Sequence, residues 1–122
     1  MAESVESPWL VVCLCANWCN VCNEYQPAFE ALAAQHPQWR FAWLDVEDDE
    51  EALGSLDVET FPSVLVGRAE EAVFWGPLLP QAGVLQRMLV SFAQSDGVAL
   101  PAGDAAHGLL QRVRALLATR AA

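Results

Sequence analysis

A single α/β domain is the fold class that this chain of 122 residues predicts. Three observations carry it. Strand-like apolar runs alternate with stretches of helical period, the first change of period falls at a Cys-x-x-Cys, and 54% of the residues are hydrophobic. That content supplies one real core, and the length leaves no room for a second domain.

Trp9-Leu10-Val11-Val12-Cys13-Leu14-Cys15 is a continuous run of strand formers, the pattern of a central strand buried on both faces. From Cys19 the period becomes helical. Cys22, Tyr25, Phe29, Leu32 and His36 recur at that spacing, Pro27 lies inside and predicts a bend, and Pro37 closes the segment. Phe41 to Asp45 reads as a second strand, followed by a short acidic helix from about Asp49 to Leu56. Thr60-Phe61-Pro62 leads into a third strand, Ser63 to Val66, and Gly67 to Glu70 turns into a fourth, Glu71 to Trp75, ended by Gly76-Pro77. Pro80 suits the first turn of a helix running to about Gln94, with Leu85, Met88, Leu89 and Phe92 on one face. Residues 1–94 therefore form the domain and 95–103 a linker. The remainder, 104–122, is a C-terminal helix capped by Asp104, with an apolar stripe of Leu109, Leu110, Val113, Leu116 and Leu117.

Sixteen acidic against six basic residues give a net charge of -10, which excludes nucleic acid and anionic membrane surfaces as partners. The run Glu47-Asp48-Asp49-Glu50-Glu51 reads as a solvated loop and helix start. No apolar stretch near the N-terminus reaches the roughly 20 residues of a membrane span. Residues 1–7 carry Glu3 and Glu6 and no cation, so a cytoplasmic protein is expected.

All four cysteines fall between Cys13 and Cys22, too close together to staple distant parts of the chain. A Cys-x-x-Cys at a strand-to-helix junction is the pattern of a redox pair. Its first cysteine meets unpaired N–H groups and the positive end of the helix dipole, which favour the nucleophilic thiolate.

Over residues 8 to about 94 the chain resembles the thioredoxin superfamily. Ala16-Asn17-Trp18-Cys19-Asn20-Val21-Cys22 is similar to that family's active-site loop, Pro27 falls at its helix kink, Phe61-Pro62 at its cis-proline step and Gly76 at the glycine after the last strand. The resemblance implies a minimal four-stranded mixed sheet of order 2-1-3-4, the fourth strand antiparallel, flanked by helices and followed here by the extra C-terminal helix. It implies Cys19 as nucleophile and Cys22 as resolving thiol in exchange with protein disulfide substrates. Trp18, Phe61, Pro62 and Gly76 would be substrate-binding, a thiol reductase would recycle the pair, and neither cofactor nor metal is required. The residues alone favour reading Pro62 as a trans proline opening an edge strand, and it is the resemblance that implies cis.

Three departures from the family stand out. Cys13 takes the place of a buried acidic residue and Trp43 that of its accompanying lysine, which implies slower or differently pH-dependent substrate reduction. Cys15 replaces a large aromatic residue. It shares one strand face with Cys13, so both are either small buried hydrophobes or accessory thiols able to bond Cys22. A four-thiolate metal site is disfavoured, because same-face strand neighbours stand about 6.5 to 7 Å apart. Lastly, about eight residues precede the first strand, so the family's N-terminal strand and helix are expected to be absent. That leaves residues 41–45 as a sheet edge. The C-terminal stripe then covers the domain in a monomer, or alternatively makes a dimer. A redox-gated or non-catalytic binding module on the same scaffold is the alternative to an oxidoreductase.

Overall fold

The structure, a computed structural model, describes residues 9–16, 18–47, 53, 62–79, 81–95 and 98–121. Its elements are β1 (Trp9–Cys15), α1 (Asn20–Gln35), β2 (Arg40–Asp45), β3 (Ser63–Arg68), β4 (Glu71–Pro77), α2 (Ala82–Ser95) and α3 (Ala105–Ala121). The acidic helix expected at 49–56 lies outside the described residues except for Leu53, which is helical.

The sheet has the predicted order β2-β1-β3-β4. β1 is parallel to β2, and β3 is antiparallel to both β1 and β4. The fourth strand is thus antiparallel to its neighbour as expected, but β3 is the one that runs against the other three. β4 extends two residues beyond the predicted end, because Gly76 pairs with Val64 and Pro77 with Ser63. A proline is tolerated there, at the end of an edge strand. α1 runs through Pro27 without interruption.

From Leu10 to Cys15, β1 is at most 1% exposed, and its alternating side chains feed two separate cores. Leu10, Val12 and Leu14 join Leu44, Leu65 and Ala72 beneath Ala106, Leu109, Leu110, Val113 and Leu117 of α3. Val11, Cys13 and Cys15 face the opposite way, toward Cys22, Tyr25, Phe29 and Leu32 of α1 and Leu85 and Leu89 of α2. Each leucine so buried contributes on the order of 2 kcal/mol. Trp9 closes one end of the second core, 4.6 Å from the Trp39 ring centroid and 6.2 Å from that of Phe92.

Polar contacts fix where α3 lies. The Asp104 carboxylate accepts from Ala106 N at 2.9 Å, the cap expected from the sequence. His107 accepts from Ala72 N through Nδ1 at 3.0 Å and donates from Nε2 to the carbonyls of Leu100 (3.0 Å) and Pro101 (2.9 Å). Both ring nitrogens are therefore engaged, in the neutral Nε2–H tautomer. Arg112 donates to the Leu53 carbonyl at 3.0 Å.

Gly67 provides the clearance for this helix. A Cβ there would lie 2.5 and 2.7 Å from the methyls of the fully buried Leu110, so that side chain would have to shift within the core. Gly67→Ala is expected to cost about 1 to 3 kcal/mol through overpacking. Chemical denaturation of the single variants and of Gly67→Ala with Leu110→Ala would measure a favourable coupling, because the shortened side chain relieves the clash. Additive losses would refute this account of the contact.

Candidate functional site

The end of β1 and the start of α1 are joined by a tight turn in which Cys19 N donates to the Ala16 carbonyl at 2.9 Å. Cys19 is the N-cap of α1, in extended conformation, and its thiol makes no capping hydrogen bond. Cys22 follows in the first turn of the helix and is fully buried. Because α1 begins directly over the end of β1, this first turn comes down on Cys15, and the structure joins Cys15 to Cys22 in a disulfide with Cα atoms 5.8 Å apart. That separation lies within the usual range for such a bond.

Cys13 and Cys19 are free thiols, the first buried and the second half-buried. All four cysteines belong to one cluster, with Cys19 packed against the part that contains the other three. The residue expected as an accessory thiol, Cys15, is therefore the one that holds Cys22 here, while the expected nucleophile Cys19 is unbonded. Cys13 Sγ lies 3.7 Å from Cys15 Sγ. With Cys15 in a disulfide, Cys13 is the partner with an S–H to donate. Burial pushes the Cys13 thiol from an ordinary 9.0 up to about 12, which keeps it protonated and inert.

Trp18 is 64% exposed beside Cys19. Its Nε1 donates to the Glu47 carboxylate at 3.3 Å, and Glu47 N donates to Asp45 Oδ1 at 2.8 Å. The parallel register that sets Cys15 beside Asp45 brings these two loops together. Among the other expected site residues, Pro62 is buried and its carbonyl accepts from Leu78 N at 3.1 Å. Gly76 is aligned with Val64, which is aligned in turn with Cys13. Phe61, and with it the Phe61–Pro62 peptide, lies outside the described residues. Among the described residues no group of three or more His, Cys, Asp or Glu side chains is disposed to hold a metal ion.

Two residues of the site were not singled out by the sequence. Glu47 reads there as one more member of an acidic run. Tyr25 reads as a core position, although its spacing of three from Cys22 places it on the thiol side of α1. Its hydroxyl is buried without a hydrogen-bond partner. Desolvation first, and then the charge of a Cys13 thiolate, push the phenol from 10.0 up to about 12.

Comparison with known proteins is consistent across sequence and structure. The family model described as Thioredoxin matches residues 2–76. A thioredoxin from Mycoplasmoides gallisepticum is 32% identical over 56 residues, which cover 46% of this chain and 56% of the relative. A second curated relative, from Streptomyces coelicolor, is 26% identical over 80 residues and is covered over 60% of its length. The chain thus spans less than two thirds of the curated relatives it matches. Among solved structures, the Fasciola hepatica thioredoxin superposes with a TM-score of 0.64 at 26% identity, over 71% of this chain and 83% of that one. The Trypanosoma brucei brucei thioredoxin gives 0.65 at 21% identity, over 74% and 79%, a likeness of fold alone.

Cys13 and Tyr25 hold their protons more tightly in the folded than in the unfolded chain. Their contribution to stability is complete below pH 9 and disappears as the pH rises toward about 12. Thermal melts are expected to show the midpoint falling across this alkaline window, with a shallower fall for Cys13→Ala. An identical pH profile for the variant would contradict the assignment. Tyr25→Phe removes an unsatisfied buried hydroxyl and is expected to raise stability by about 1 kcal/mol in urea unfolding; a loss of that size would show that the hydroxyl has a partner in solution.

Proposed function

Since this chain belongs to the thioredoxin family, we propose that it is a thiol-disulfide oxidoreductase acting on protein disulfides through Cys19 and Cys22. One observation carries the reading. Of the four cysteines, Cys19 alone is not buried, and it stands at the head of α1 beside the exposed Trp18, one helical turn from Cys22.

With the thiols reduced, the Cys19 thiolate attacks one sulfur of a substrate disulfide and the other substrate sulfur leaves as a thiolate. Cys22 then attacks Cys19 Sγ. The second substrate thiolate departs, and the two electrons that reduced the substrate have come from the Cys19 and Cys22 thiols. A thiol reductase returns them. The exposed Trp18 would form part of the surface over which an extended substrate segment lies. Glu47, on the indole of Trp18, adds negative charge at this rim and suits substrates whose disulfide is flanked by basic residues.

Reduction of insulin by the full chain, with dithiothreitol as electron source, tests the reading. Wild type is expected to accelerate precipitation of the insulin B chain, and Cys19→Ser to fall to the uncatalysed rate. Cys22→Ser is expected to accumulate a mixed disulfide on Cys19 instead of turning over. A wild-type rate no faster than dithiothreitol alone would reject the proposal.

A further inference from the structure

We infer that Cys15 is a second partner for Cys22, and that the disulfide made between Cys19 and Cys22 during turnover passes inward to become Cys15–Cys22, returning Cys19 as a free thiol. The inference rests on the reading of Cys19 and Cys22 as the turnover pair and adds a third thiol to it.

The geometry places Cys22 between two competitors. On one side the Cys-x-x-Cys spacing brings Cys19 within reach from one turn earlier. On the other, the last residue of β1 lies close enough for the disulfide that the structure contains. The exchange balances without any outside oxidant. The Cys15 thiolate attacks Cys22 Sγ, the Cys15–Cys22 bond forms as Cys19–Cys22 breaks, and the electron pair leaves on Cys19. Cys19 takes up the proton that Cys15 gave up. One disulfide and one thiol are present before and after.

The observed pairing supplies the direction. Cys15 is 1% exposed and Cys22 is fully buried, whereas Cys19 reaches water. Passing the bond inward buries the disulfide and leaves the remaining thiol, Cys19, where it reaches water and substrate. Cys13 takes no part, since the structure leaves it unbonded, so the relay has three members rather than four. In the inward form Cys19 can still attack a substrate disulfide, but Cys22 cannot resolve the adduct while its sulfur is bonded to Cys15. The chain then retains its substrate until a small thiol reductant, such as a glutathione-class thiol, opens Cys15–Cys22.

Peptide mapping of the intact chain decides the matter. The protein is oxidised with one equivalent of oxidised glutathione per chain, enough for a single protein disulfide, its free thiols are blocked with N-ethylmaleimide, and it is digested with chymotrypsin. Cleavage after Trp18 separates Cys15 from Cys19 and Cys22, and cleavage after Tyr25 releases the peptide 19–25. The expected product is a peptide ending at Trp18 and containing Cys15, bonded to 19–25 at Cys22 with maleimide on Cys19. A closed Cys19–Cys22 loop in 19–25, with maleimide on Cys15, would overturn the inference. A second readout is maleimide uptake by the oxidised native protein: one per chain for wild type and none for Cys15→Ala, in which only Cys19–Cys22 can form. Equal uptake by the two proteins would also overturn it. Insulin turnover by wild type fails or succeeds independently of both results.

Discussion

Everything in this fold follows from burying one strand on both faces. Between Leu10 and Cys15 no side chain of β1 reaches water, so no charged group fits there without a buried partner. The two-residue period then divides the strand's side chains between two layers that share nothing but its backbone. Odd-numbered positions supply the chemistry and even-numbered ones the anchorage for α3. A one-residue slip of β1 would send Cys13 and Cys15 into the leucine layer and destroy site and core together.

The same constraint accounts for the chemistry of the thiol layer. Cys13 lies beside Trp43 in the β1–β2 register, the two positions at which the family places a carboxylate and a lysine. Both charges are replaced, and the space is filled by sulfur and by an aromatic group whose ring centroid is 5.5 Å from Phe29 and 6.4 Å from Tyr25. The buried carboxylate that the site does have, Asp45, stands beside Cys15 rather than Cys13 and accepts from Glu47 N.

Much of this was legible in the residues. The continuous apolar run announces a doubly buried strand, and Trp18, Pro27 and Pro62 in register with Cys-x-x-Cys are specific enough to identify the fold and its sheet order. The leucine stripe from Leu109 to Leu117 shows an apolar face without showing what covers it, and the structure sets it on Leu10, Val12 and Leu65. What the residues left open depends on three-dimensional turns. Which of Cys13, Cys15 and Cys19 meets Cys22 is decided by how steeply α1 rises from the end of β1, and the pattern of apolar positions carries no such angle. The link from Trp18 to Glu47 spans 29 positions and arises only because two strands run parallel. The clearance at Gly67 is likewise invisible until Leu110 is placed above it.

His107 joins three pieces of chain that are far apart in sequence: its own helix, the β4 amide of Ala72 and the carbonyls of residues 100 and 101. One imidazole thereby closes a loop of 35 residues. The hairpin edge, the segment before α3 and the helix itself consequently form one opening unit rather than three, because releasing any one of them strands a ring nitrogen or a backbone group of the others. Amide exchange at Ala72 would then follow the detachment of a helix that begins more than 30 residues further along, so that a single backbone proton in β4 registers whether the whole C-terminal layer is seated.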